Sequence, residues 1–158
     1  MKRSRSKLKL ATAHELPFTE TRFGSCLSKA RKLEDSILGE CQRHHFGEAD
    51  LFAIKLALEE ALVNAVKHGN KMDPSKVVKV QHRVTDQRVD VVIEDQGEGF
   101  NPADLPDPTE EENLCRCNGR GILLMRAYMS SVVFNPQGNK VTLTKFNESY
   151  TPSNVAMG

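Results

Sequence analysis

The segment RVDVVIED, residues 88–95, runs directly into Gln96-Gly97-Glu98-Gly99. Its β-branched residues predict a buried strand. That strand ends on an acid and then gives up two side chains, at Gly97 and Gly99. Glycine costs conformational entropy in the folded chain, so the pair implies backbone that has to stay bare. An aspartate at a strand end can accept a hydrogen bond from an exocyclic amine such as that of adenine. Glycines beside it would let a flat nucleotide lie against the backbone without meeting a Cβ.

The preceding run KVVKVQHRV is equally valine-rich, and the three residues TDQ between the two runs make them a hairpin. Upstream, residues 7–13 are expected to form a first strand. The stretch ETRFGSCLSKARKLEDSILGECQRH is expected to form one long helix, because Phe23, Leu27, Ala30, Leu33, Ile37 and Leu38 recur with a helical period. Asp50 is expected to cap a second helix from Leu51 to His68, which Gly69 ends. Downstream, NPADLPDPTEEENLCRCNGRG holds three prolines and several acids and reads as a long loop, with a short helix possible at the capping-box pair Thr109 and Glu112. GILLMRAYM reads as a helix starting at the glycine pair, and SVVFNPQGNKVTLTKF as two strands around an NPQGN turn. The domain is expected over 7–147, between a basic arm at 1–6 and a disordered tail at 148–158.

The second helix carries two polar stripes. At about 100° per residue, Lys55 and Glu59 fall together and suit solvent, while Glu60 and Asn64 fall on a separate line roughly 140° away. Most of the remaining circumference is apolar. One stripe can face water. The other is either partly exposed surface or a site, since buried carboxylates and amides need partners.

The 158 residues carry a formal net charge of +1, which gives no general pull toward nucleic acid or anionic membrane. No apolar run approaches the roughly 20 residues of a membrane-spanning helix. The start MKRSRSKLKL is basic but lacks the apolar core of a signal peptide, so a cytoplasmic chain with reduced thiols is expected. The four cysteines, Cys26, Cys41, Cys115 and Cys117, make no paired C-x-x-C knuckle. There is no G-x-x-x-x-G-K-[ST] phosphate loop and no G-x-G-x-x-G after a strand. NGRG instead opens a helix with glycines, and free N–H groups at a helix start attract phosphate.

Three segments, EEALVNAVKHGN, EDQGEGF and GRGILLM, resemble in order and spacing the N box and the two glycine boxes of the GHKL, or Bergerat-fold, ATP-binding family. The block from Asp95 to Met129 is similar to one branch of it, the bacterial anti-sigma factor serine kinases, and the resemblance extends from about residue 8 to residue 146. It implies an α/β two-layer sandwich, with a mostly antiparallel sheet, helices on one face, and ATP between helix and lid. It implies that Asp95 reads adenine, flanked by Gly97 and Gly99, and that Asn64 holds Mg²⁺ through its amide oxygen. Glu60 would be the general base toward an attacking hydroxyl. Gly119, Arg120 and Gly121 would meet phosphate. Lys67 matches a position that meets phosphate in relatives, and equally suits a solvated helix end. Asn139 stands where family members often carry threonine near the adenine. The implied protein holds a sigma factor inactive and uses Mg-ATP to phosphorylate a serine of a STAS-type anti-anti-sigma protein, with homodimerisation left open. The alternative is a nucleotide-gated binding module without useful kinase activity. The catalytic domain of a sensor histidine kinase fits poorly, for want of upstream dimerisation helices and because the lid is short.

Overall fold

The valine-rich hairpin lies at the heart of the sheet. The computed structural model describes residues 16–102 and 117–152, with 117–120 as backbone alone. Strands β1 (Thr19–Gly24), β2 (Val77–Val84), β3 (Arg88–Glu94), β4 (Ser131–Phe134) and β5 (Lys140–Phe146) form one sheet in the order β1-β2-β3-β5-β4. Every neighbouring pair is antiparallel. The register places Val78 and Val80 of β2, Val91 and Ile93 of β3, and Val141 and Leu143 of β5 on one face, all buried. That face packs against helices α1 (Leu27–Arg43), α2 (Glu48–Val63) and α3 (Cys117–Tyr128). The core contains the fully buried Ile37, Ile54, Leu58, Val66 and Met125. This is the two-layer α/β sandwich with helices on one face.

The opposite face is polar at its centre. Asp90 is buried there and accepts hydrogen bonds from Arg83 Nε (3.1 Å), Arg88 Nη2 (2.6 Å) and Thr144 Oγ1 (2.8 Å). Burial alone would raise its pKa, but the bonds from Arg88, Thr144 and Arg83 outweigh it and hold the carboxyl below the ordinary range. Lys79 and Glu94 stand opposite one another across β2 and β3 and pair at 3.5 Å.

Three expectations about the elements change. The stretch from Glu20 to His44 is not one helix. Thr19–Gly24 is an edge strand paired with β2, in which Phe23 points into the core while Glu20 and Arg22 face out. Phe23 happens to continue the spacing of Leu27 and Ala30, but its neighbours alternate with period two, and sheet pairing prevails over the apparent helical period. The second helix begins at Glu48 behind Gly47, so Asp50 is inside its first turn and not its cap. Asp50 is buried and accepts the Glu148 N–H at 2.9 Å. Finally, α3 begins at Cys117, which places Gly119 and Gly121 within the helix where a start at the glycine pair is expected from the sequence. The strand expected at 7–13 and the helix expected at Thr109 lie outside the described residues. At the other boundary, Asn147 and Glu148 are tied down: Asn147 Nδ2 donates to the carbonyl of Asp86 (2.8 Å), and Tyr150 Oη meets Gln87.

Candidate functional site

The C-terminal end of β3 carries Asp95, and three backbone segments close around it. The helical rod of α2 does not stop at Val63. It widens into a π-helical turn over Asn64–Gly69, with Asn70 N–H bonded to the Ala65 carbonyl at 2.9 Å. Such wide turns are rare and concentrate at functional sites. The chain then reverses through Lys71 and Met72, both in the left-handed region at φ 52° and 58°. Neither is glycine, so the backbone is strained there.

The turn delivers Gly69 to Asp95. A Cβ on Gly69 would overlap the Asp95 carboxylate, and a Cβ on Gly97 would overlap the Gly69 carbonyl oxygen. Gly99 has φ +76°, and a Cβ there would run into the carbonyl oxygen of Gln137. Gly138, also at φ +76°, meets Phe100 in the same way. The bare backbone behind β3 is therefore required by the chain's own packing, where the sequence reading assigned the space to a nucleotide alone.

Asp95 is partly buried. Its Oδ1 accepts the Gly97 N–H at 2.8 Å. Burial pushes its pKa up, the Gly97 bond pulls it down, and the neighbouring Glu94 adds to the rise; the net shift is upward. Its second oxygen faces the bare Cα of Gly69. Asn139 stands beside it, as its sequence position suggests. The Asp95 N–H donates to the Asn139 carbonyl (2.9 Å), and Asn139 Nδ2 donates to the Asp95 carbonyl (3.3 Å). Asn139 Oδ1 is taken by Asn135 Nδ2 at 2.7 Å, so this side chain is braced by the turn and not simply directed at a ligand.

Asn70 is a participant that sequence reasoning missed. It has no exposed surface. Its Oδ1 accepts the Gln96 N–H at 2.7 Å and its Nδ2 donates to the Val77 carbonyl at 3.1 Å. Gln96 Oε1 in turn accepts the Val77 N–H at 2.7 Å. One buried amide thus joins the end of the π-turn, the start of β2 and the residue after Asp95. An asparagine following His68-Gly69 gives no sequence signal for this, because the periodicity has already ended.

The second polar stripe of α2 faces α3. A Cβ on Gly121 would lie 2.5 Å from Glu60 Oε2 and 3.7 Å from Asn64 Nδ2. Glu60 and Asn64 are half-buried, while Lys55 and Glu59 on the other stripe are exposed. The structure therefore brings together Glu60, Asn64 and Gly121 on one side, and Asp95, Gly97, Gly99 and Asn139 on the other, with the π-turn between them. Lys67 and His68 on that turn are exposed. Gly119 lies in the first turn of α3, where N–H groups have no partner within the helix. The side chain of Arg120 and most of the lid, with Cys115, lie outside the described residues. Among the described residues, no helix is long and apolar enough to cross a membrane, and no three His, Cys, Asp or Glu side chains cluster as a ready metal site.

This geometry has counterparts. Residues 26–145 match the histidine kinase-like ATPase domain family. The chain is 33% identical over 96 residues to an anti-sigma F factor of Clostridium perfringens, covering 59% of this chain and 68% of that one. It is 29% identical over 118 residues to the serine-protein kinase RsbW of Bacillus subtilis, covering 70% and 74%. A crystal structure of the RsbU and RsbW domains of a Mycobacterium tuberculosis protein superposes with a TM-score of 0.56 at 18% identity, over 84% of this chain and 32% of that one, and shares the fold. With the match spanning β2 to β5, the helices and both sides of the cleft, the chain belongs to the histidine kinase-like ATPase family, in the branch of the anti-sigma factor serine kinases.

Proposed function

We propose that the protein binds Mg-ATP between Asp95 and Glu60, phosphorylates a serine of a STAS-type anti-anti-sigma protein, and holds a sigma factor inactive. The observation that carries this reading is the contact of the Glu60 carboxylate with the bare Cα of Gly121. It sets a carboxylate against the second turn of α3, next to the first turn whose N–H groups have no partner within the helix and where a phosphate would lie. Asp95 would accept the adenine amine. The residues suit the nucleotide and its metal. Asn64 offers a hard amide oxygen one turn from Glu60, and Gly121 leaves the approach clear of a side chain. ATP supplies the transferable phosphoryl group, and Mg²⁺ held through Asn64 offsets its charge. Glu60 would accept the serine proton as the hydroxyl oxygen attacks, and Gly119, Arg120 and Lys67 would hold phosphate oxygens. Phosphoryl transfer asks mainly for positioning and charge neutralisation.

The test is incubation of the pure protein with labelled Mg-ATP and candidate anti-anti-sigma proteins of the same cell. Transfer to serine is expected, falling on the order of 100-fold in Glu60→Gln with nucleotide retained. Transfer that is equal in wild type and Glu60→Gln would remove Glu60 from its role. ATP-dependent capture of partners without any transfer would leave a nucleotide-gated binding module. Sedimentation of the same samples tests homodimerisation.

A further inference from the structure

The far end of the sheet from Asp95 carries a second hollow. Lys140 of β5 pairs with Glu94 beside Asp95, so the other end of β5, at Lys145 and Phe146, is the opposite edge of the molecule. There the start of α2 and the end of α3 part over β5 and leave an open depression of about 500 Å³. Among the residues that line it are Glu48, Asp50, Phe52, Tyr128, Lys145 and Glu148. Phe52 is 59% exposed and Tyr128 40%, and their rings meet edge to face at 6.0 Å. Two adjacent aromatic side chains left this open are unusual away from contact surfaces, and aromatic anchors dominate protein–protein hot spots.

Beneath the rings the floor is charged and built. Asp50 and Lys145 are more than nine-tenths buried and lie 3.8 Å apart. Lys145 also meets Glu148 at 3.4 Å, and the main-chain N–H of Glu148 fixes Asp50 at 2.9 Å. Asp50 and Glu148 share the Lys145 ammonium and Glu48 lines the same hollow, so three carboxylates face one ammonium group and two negative charges are in surplus. An aromatic wall beside unneutralised carboxylates suits a guanidinium or ammonium on an apolar stem.

We propose that this hollow docks a basic side chain of the sigma factor. The inference rests on the sequestering role proposed above. A protein that grips DNA phosphates has to present arginine and lysine, and covering one of them here would both anchor the complex and remove a DNA contact. The site shares no residue with the nucleotide cleft, so it can be altered without touching ATP.

The test uses full-length Phe52→Ser and Glu148→Lys proteins. Both positions are exposed, and Glu148 anchors Asp50 through its backbone, so both variants are expected to fold; Glu148→Lys also loses the exposed ion pair with Lys145, and its melting temperature is measured beside that of Phe52→Ser. Calorimetry is run against purified sigma factors of the same cell at two salt concentrations, with ATP affinity and serine phosphorylation measured in parallel. Each variant is expected to lose on the order of ten-fold in sigma affinity. Glu148→Lys should also flatten the salt dependence, with ATP binding and phosphorylation unchanged. If wild type binds a sigma factor and both variants bind it equally, the docking site is wrong and the functional reading stands. If the variants lose the anti-anti-sigma protein while sigma binding is intact, the occupant is misassigned. If wild type binds no sigma factor, the proposal falls together with the sequestering role.

Discussion

Replacing Asn70 tests whether the nucleotide cleft depends on a single buried amide. Asn70→Ala removes the acceptor of the Gln96 N–H and the donor to the Val77 carbonyl. A buried polar group left without a partner costs about 1–3 kcal/mol. Gln96 is exposed and Val77 partly so, and water recovers part of the loss at both; the cost is therefore about 2–3 kcal/mol for the pair. Asn70→Asp is more revealing. It keeps an acceptor for Gln96 but turns an oxygen toward the Val77 carbonyl oxygen, so it should be as destabilising at neutral pH and recover as acid restores the donor. Urea unfolding across pH gives the stabilities, and calorimetry gives ATP affinity. Because Gln96 follows Asp95, both variants should also weaken ATP by on the order of ten-fold at temperatures where they are fully folded. A stability change below about 0.5 kcal/mol, the scale of an unremarkable surface position, would refute the bridging role. Normal ATP affinity in a folded but destabilised variant would confine Asn70 to stability.

Asp95→Asn keeps the shape but replaces an acceptor with a donor, and should cost about 2 kcal/mol or more of ATP affinity by calorimetry. In wild type that affinity should weaken on acidification at a pH above the usual aspartate value, because burial raises the Asp95 pKa. Gly121→Ala places a methyl 2.5 Å from the flexible Glu60 carboxylate, which has to swing aside; the variant should fold, yet lose phosphoryl transfer by at least ten-fold in a labelled-phosphate assay. Glu34, buried on α1, has its pKa pushed up to about 6 by burial and then by the Glu59 and Asp35 carboxylates, against Lys55 and Arg31. The folded protein thus holds this proton more tightly than the unfolded chain, and stability falls as pH rises from about 4.5 to about 6. Glu34→Gln should stabilise by up to about 2 kcal/mol above that window and by nothing below it, read by denaturant unfolding at pH 4 and pH 7.5.

Much of the architecture was legible because its signals are local. The alternating hairpin, the glycine-ended helix and the NPQGN turn each carry their own period or turn chemistry within about ten residues. The first strand was not, since Phe23 satisfies two periods at once and only its pairing with Val78, more than fifty residues away, decides between them. The start of α2 was misplaced for a similar reason. Asp50 looks like a cap, but its partner is the main chain of Glu148, at the far end of the domain.

For the candidate site the division is sharper. Residue type singled out the candidate groups, Glu60, Asn64 and Asp95, because a polar stripe on an apolar helix and an acid behind a valine strand are anomalies in their own segments. It could not reveal what holds them. Gly69, Asn70 and Gly138 act through contacts with residues 95–100 and 77, and each contact joins parts of the chain that no period connects. The glycines behind β3 show the difference most clearly. Their lack of Cβ was read correctly as a demand for close approach, yet the approaching groups at Gly97 and Gly99 are the carbonyl oxygens of Gly69 and Gln137. Enlarging either glycine would therefore disturb the cleft before any nucleotide arrives, whereas the one group a Cβ on Gly121 would crowd is the movable Glu60 carboxylate, with Asn64 at an ordinary contact distance. Among these positions, Gly121 is the one where a methyl separates catalysis from folding.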